Sequence, residues 1–417
     1  MSKRPDPAAR SGKLLFLIPK LHGGGAERAL SYVMNALAED YEVTVITLDP
    51  PDPAQDYYVS DAVRILTADR YRGRTVPSYL GTLRQIRALK RRERFDVAVS
   101  FLPEAHFFNI LTRTTERVYI SIRNHTGLRR RYVPHDIFGP LAERLHPLAD
   151  KVICVSEDVA HDEAEHFRIP EEKLVVIRNG IRREDILAQA AAENGDTAFL
   201  RFAGEHPFLF ANSGRLVIQK GQWHLLRAFA RLRQDAPEAG LFLLGEGELG
   251  ERLREEAQRL GLGDAVFFCG RKANPFPYLK YAQVFVLSSL YEGFPNVLLE
   301  AMAMGLPIVA DDCPGVREAL TPRRRYGEAV QGVVHGDFGL VSERLDNNWP
   351  ETDALSSAEE ALYCAMLEAY RDPALRGRCI AAGTRRLGDF TIEQRKAEWE
   401  TLIREGALPG ASPFGGN

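Results

Sequence analysis

The feature that most constrains this chain is an alternation of short apolar runs with helix-period segments, and the alternation occurs twice. LLFLI at 14–18 leads into a glycine loop, Gly23 to Gly25, and a helical pattern from Ala26 to Glu39. VTVIT (43–47), VAVSF (97–101), VYISI (118–122) and VICVS (152–156) continue the series, which closes with KLVVIRNG ending at Gly180. A second series opens with FLFANSG (208–214) and runs through LFLL (241–244), VFFC (266–269) and VFVLS (284–288) to PIVA (307–310). Unbroken apolar strands separated by helices signify parallel sheets, because each parallel crossover lays its helix on a sheet face and buries it. The predicted architecture is α/β, with two Rossmann-like doubly wound domains facing a cleft. Domains are expected at 1–185 and 206–385, with AQAAAENGDT marking a linker at 186–205. Thr391 and Gln394 form a capping box ahead of Ile392, Trp399, Leu402 and Ile403 at helical spacing, so a helix at 386–405 should return to the first domain. The tail 406–417 reads as disordered.

A chain of 417 residues is long enough to bury two cores without staples. Its five cysteines form no Cys-x-x-Cys pair, which argues against a disulfide framework and for a reducing compartment. Thirteen residues of largely polar character, MSKRPDPAARSGK, precede LLFLI, a run too short for a signal-peptide core or a membrane span. A cytoplasmic protein is expected, with room for peripheral contact at the inner face of a membrane.

Net charge is −3 but uneven: residues 70–131 hold 15 Lys or Arg against four acids, Glu93, Asp96, Glu104 and Glu116. Within that stretch Leu80, Leu83, Ile86 and Leu89 recur at helical spacing among Arg84, Arg87, Lys90, Arg91, Arg92 and Arg94, and Arg129, Arg130 and Arg131 add a loop cluster. This is a basic amphipathic helix. It is either a solvated helix packing its apolar face inward or a surface for an anionic membrane or a lipid-diphosphate acceptor. Nucleic acid is not expected, since no aromatic platforms are interleaved with the charge.

The densest motif is the run from Tyr291 to Pro307, YEGFPNVLLEAMAMGLP. It reads as a strand end, a turn and a helix, with Pro295 at the first helical position and Gly305 as the stop. Glu292 and Glu300 flank a helix N-terminus whose free amides suit an anion. Taken alone, both glutamates could equally be solvated. This run resembles the E-x7-E signature of retaining glycosyltransferases of the family 4 type, which have the GT-B fold. Three further segments resemble the family in the same order along the chain: His22-Gly23-Gly24-Gly25-Ala26-Glu27-Arg28, the loop Ser213 to Gly221 with Arg215 and Lys220, and the turn Gly245-Glu246-Gly247.

The resemblance implies a nucleotide-sugar donor, an acceptor hydroxyl on a glycan or lipid-linked glycan, and no cofactor. A departing nucleoside diphosphate needs its growing charge neutralised; the chain has no Asp-x-Asp, so fixed cations rather than a metal are expected to do this. Arg215 and Lys220 would take the phosphates, Glu292 would face the donor sugar, and Glu300 would hold the ribose. Phe294, Pro295, Asn296 and Val297 would present backbone amides, Gly24 and Gly25 would let main chain approach the diphosphate, and Gly245, Gly247 and Arg271 would line the donor. The family's histidine corresponds to Asn124 or His125. Asp311-Asp312-Cys313-Pro314-Gly315 fits the family pattern only with one residue fewer. The expected reaction is retaining hexosyl transfer, probed against two alternatives: a nucleotide-sugar epimerase or hydrolase of the same fold, and a binding protein that has lost catalysis. Gly245-x-Gly247-x-x-Gly250 matches a dinucleotide fingerprint by letter, but no acid ends the following strand, where VFFC runs into Gly270 and Arg271.

Overall fold

The computed structural model describes residues 11–52, 56–68, 75–128, 141, 144–349, 352–408 and 414. The chain divides into two compact units: residues 1–180 with 390–417, and residues 181–389.

Unit 1 is built on β1 (Lys13–Ile18), β2 (Glu42–Thr47), β3 (Arg64–Thr67), β4 (Val97–Phe101), β5 (Arg117–Ile122), β6 (Lys151–Cys154) and β7 (Leu174–Val176). They form one parallel sheet in the order β3-β2-β1-β4-β5-β6-β7. Alternate residues of β1 supply two separate cores: Leu14, Phe16 and Ile18 join one cluster, Leu15 and Leu17 the other. That two-sided burial is why the strand is apolar throughout Leu14–Ile18. The last helix, Ile392–Glu405, lies on the first face, where Trp399 stacks on Phe101 with ring centroids 6.3 Å apart and meets Phe16 edge-on at 6.4 Å.

Unit 2 contains β8 (Phe208–Ser213), β9 (Ala239–Leu244), β10 (Val266–Gly270), β11 (Val284–Leu287), β12 (Ile308–Asp311), β13 (Val333–His335) and β14 (Leu340–Ser342). Their order is β10-β9-β8-β11-β12-β14-β13, parallel except for the β13–β14 hairpin pair at the edge. The segment read as a linker at 186–205 is instead mostly helical, Arg183–Ala190 and Thr197–Glu205. Phe199 explains it: the ring is fully buried against Phe242, Phe267, Tyr278 and Tyr281, so apolar anchoring overrides the loop-like composition around it. The expected tail falls largely outside the described residues.

The basic helix is Val76–Glu93, capped by a reciprocal Thr75 and Ser78 box. Ile86 and Leu89 are buried, and Arg84, Arg87 and Arg91 are exposed. Lys90 departs from the expected surface role. Its ammonium is buried, 2.8 Å from Glu116, and donates to Asn109 Oδ1 at 2.8 Å and to the Asn109 carbonyl at 2.9 Å. Burial pushes it down from 10.5 to about 8 against the pull of Glu116. Arg129, Arg130 and Arg131 lie outside the described residues. Among the described residues no helix is long and apolar enough to cross a membrane.

Removing one member of a buried ion pair strands the other. Glu116→Ala is therefore expected to destabilise unit 1 by about 3–5 kcal/mol, whereas Arg92→Ala, on the exposed side of the helix, should stay within about 0.5 kcal/mol. Thermal and urea unfolding of the purified variants measure both; a Glu116→Ala chain as stable as the parent would show that the pair holds nothing.

Candidate functional site

In unit 2 the residues singled out by motif converge from three loops at the carboxyl ends of parallel strands, where α/β sheets place ligands. The first loop leaves β8 at Ser213, passes through a short turn at Ile218–Lys220 and enters the helix Gln222–Leu232. Gly221 makes that entry possible. Its φ is +56°, and a Cβ there would lie 2.3 Å from the Ser288 carbonyl. The strand-to-helix corner thus presses onto the backbone after β11, and Leu290 N donates to Gln219 O at 2.8 Å across the same seam.

This seam brings Lys220 to Glu292. Nζ sits 2.5 Å from Oε1, with the side chains 16% and 10% exposed. Gln219 Nε2 donates to Tyr291 O at 2.9 Å and to Glu292 Oε2 at 3.4 Å, holding the carboxylate from its other side. Two residues assigned separate duties, one to phosphate and one to sugar, are thus a single ion pair in the unliganded protein. Arg215 is exposed on the same loop, and its carbonyl accepts from Gln222 Nε2 at 3.0 Å.

Glu292 lies in the loop after β11, beyond the strand end at Leu287. The helix that follows is Asn296–Ala303, and Pro295 is its N-cap, with φ −75° and ψ 103°, one position earlier than expected. Leu298 N is turned back to Pro295 O at 3.0 Å. Phe294 is buried, whereas Asn296 and Val297 are partly exposed at the helix start. Glu300 is on the second turn and 4% exposed, so it belongs to the interior side of the helix rather than to a solvated face.

Gly245 and Gly247 are packed closely against neighbouring backbone. Gly245 has φ +147°, and a Cβ would fall 1.9 Å from Gly214 O; at Gly247 it would fall 2.3 Å from Leu216 O. The turn after β9 is therefore packed against the Arg215 loop, with Leu216 N donating to Glu246 O at 2.9 Å. Arg271 is exposed just past β10. Behind the pair, Cys313 is buried, and burial pushes its thiol well above its ordinary value, followed by the charges of Asp311 and Glu292.

In unit 1, Gly24 caps the helix Gly25–Leu37 in an extended conformation. A Cβ on Gly24 would lie 2.7 Å from the Glu27 carboxylate, so an acid of the same helix already occupies the space beside this N-terminus. Asn124 Oδ1 accepts from the His125 amide at 2.9 Å, and the His125 ring is nearly buried beside Asp162. Arg123, just past β5, was not singled out by motif. Its guanidinium lies over the Phe101 ring at 5.4 Å and donates to Asn179 Oδ1, and burial pushes it down to about 10.

Comparison with known proteins follows the two units. Residues 23–185 match the model "Glycosyltransferase Family 4", and residues 199–332 match "Glycosyl transferases group 1". The fold is shared with HepE of Anabaena in complex with UDP and glucose (18% identity, TM-score 0.72, 94% of this chain and 100% of that one). It is also shared with sucrose-phosphate synthase of Thermosynechococcus elongatus (20% identity, TM-score 0.73, 94% and 98%). The protein is a glycosyltransferase of the GT-B fold. The chain belongs to the family 4 type. An uncharacterized glycosyltransferase of Methanocaldococcus jannaschii, MJ1059, is 34% identical over 265 residues, which are 62% of this chain and 64% of that protein. A Campylobacter jejuni α-1,4-N-acetyl-D-galactosaminyltransferase, whose name specifies a glycan on PP-undecaprenol, is 26% identical over 400 residues, 94% of this chain and 98% of that protein.

If the Gly245 contact sets the loop, Gly245→Ala should destabilise unit 2 by at least about 1–3 kcal/mol, from the strained backbone with the clash against Gly214 O added to it. Gly263→Ala, where nothing lies within 4 Å of the new Cβ, is the matched control. Equal unfolding midpoints for the two variants would show that the close approach carries no energy.

Proposed function

We propose that the protein moves a hexose-type sugar from a UDP-sugar to an acceptor hydroxyl of a glycan or lipid-linked glycan, with retention and without a metal. Unit 2 binds the donor and unit 1 the acceptor, in synthesis of cell-surface polysaccharide or glycolipid. The observation that carries this reading is the Lys220–Glu292 pair beside the N-terminus of Asn296–Ala303. A diphosphate is a stronger partner for an ammonium than one carboxylate, so donor binding would draw Lys220 onto phosphate oxygens and leave Glu292 for the sugar hydroxyls. Arg215, exposed on the same loop, can grip a second phosphate oxygen bidentately. Amides at Asn296 and Val297 add oriented dipoles, and Glu300 would take the ribose. These fixed groups supply what a metal supplies elsewhere, stabilising charge as it develops on the leaving group.

Retention with no placed nucleophile favours a front-face substitution. The bond from the anomeric carbon to the diphosphate oxygen lengthens into an ion pair, the acceptor oxygen attacks the same face, and the departing phosphate takes the acceptor's proton. The UDP donor is supported by the UDP complexes among the structural neighbours, and the lipid-linked acceptor by the name of the Campylobacter relative.

Lys220→Ala and Glu292→Ala should each lower transfer at least about a hundredfold, the worth of one well-placed charge, while leaving the fold intact. Release of UDP from a panel of UDP- and GDP-sugars measures it, and EDTA should leave the rate unchanged. Wild-type turnover in either variant removes that residue from the reaction. For the basic helix, reversing Arg84, Arg87 and Arg91 should weaken sedimentation with phosphatidylserine vesicles by about 1 kcal/mol per charge. Unchanged sedimentation would identify a solvated helix.

A further inference from the structure

Asp162, within the helix Glu157–Phe167, is fully buried, and its Oδ1 meets two imidazoles: His125 Nδ1 at 3.2 Å and His166 Nδ1 at 3.1 Å. Its Oδ2 accepts from the Gly127 amide at 2.9 Å. Among the described residues Oδ1 has no hydrogen-bond partner: both ring nitrogens lie at ion-pair distance without being aligned as donors. A buried carboxylate oxygen without a donor is strongly unfavourable, so at least one ring must present a protonated Nδ1 to it. The adjacent Glu163 cannot relieve the demand on either ring. Its oxygens are taken by Thr126 Oγ1 at 3.0 Å and His146 Nδ1 at 2.7 Å.

The two imidazoles are not equivalent. The His166 side chain is 59% exposed and can turn to water, while that of His125 is 10% exposed and has few alternatives. A second contact competes for the same nitrogen of His125: the Leu128 amide lies 3.3 Å from Nδ1 and could donate to it only if Nδ1 were bare. The Leu128 bond and the Asp162 contact demand opposite tautomers. A charge-assisted bond to a buried carboxylate is the stronger of the two, and low polarisability around it widens the difference.

We propose that Asp162 is a positioning residue that fixes His125 as the Nδ1-protonated tautomer, leaving Nε2 unprotonated to accept a hydrogen bond from a substrate hydroxyl. The proposal rests on the reading that His125, rather than Asn124, takes the place of the family's histidine beside the reacting sugar. Asp162→Asn keeps the size of the side chain and can keep the bond to Gly127. It places an amide where the carboxylate oxygen was, so His125 must reverse its tautomer and offer a donor instead of an acceptor.

The full-length enzyme labelled with 15N-histidine gives the most direct test, because ring nitrogen shifts distinguish the tautomers without reference to activity. The expected wild-type spectrum shows His125 with Nδ1 protonated and Nε2 bare at a pH where the ring is neutral, and the reverse in Asp162→Asn. A wild-type ring carrying its proton on Nε2 overturns the proposal, even if the variant does not fold. In kinetics, Asp162→Asn should lower kcat at least about tenfold with little change in KM, and His166→Ala should change neither. An inactive His125→Ala beside a fully active Asp162→Asn would reject the role of Asp162 while keeping His125. A fully active His125→Ala would withdraw His125 itself and the proposal with it.

Discussion

A lysine and a glutamate held 2.5 Å apart at the ends of two loops are the interaction on which the proposed chemistry of unit 2 depends. Partly withdrawn from water, each charge is stabilised mainly by the other. Any ligand that separates them must bring charge and hydrogen-bonding groups of its own. A nucleoside diphosphate sugar brings both, with phosphate for the ammonium and hydroxyls for the carboxylate. On the proposed reading, the pair holds an ammonium and a carboxylate where the donor's phosphate and hydroxyls would meet them.

What keeps those loops in place is close backbone packing rather than side-chain volume. Gly221 lets the Lys220 corner sit on Ser288, Gly245 lets the next turn sit on Gly214, and Gly315 admits the backbone at Gly293. Four loops, after β8, β9, β11 and β12, are thereby interlocked, and the charged tips they carry inherit that rigidity. Unit 1 uses buried polar pairing in a different way. Lys90 with Glu116, and Asp162 with its two histidines, tie helices to strands and to the loop after β5.

Much of this was legible in the sequence, and the remainder failed for identifiable reasons. The two strand series read as sheets because both faces of each sheet are covered, which makes β1, β4 and β8 to β12 largely apolar. β3, β13 and β14 escaped because they are only three or four residues long and, at β3 and β13, partly exposed, so they carry no apolar run. The Lys220 loop and the Glu292 run were each recognisable. Their pairing across 72 residues was not, since it depends on strand order in the folded sheet. Lys90 followed the polar pattern of its helix, and nothing local announced Glu116 as its buried partner. Asp162 lies in a helix that no motif singled out, and its local hint was the i, i+4 spacing to His166.

The most direct measurement is a crystal structure of the wild-type protein with an intact UDP-sugar bound. Lys220 Nζ should then lie on a diphosphate oxygen with Arg215 beside it, and Glu292 should have left the ammonium for a hydroxyl of the sugar. A bound donor whose diphosphate is bridged by magnesium or seated away from Lys220, with the Lys220–Glu292 contact unbroken, would contradict it.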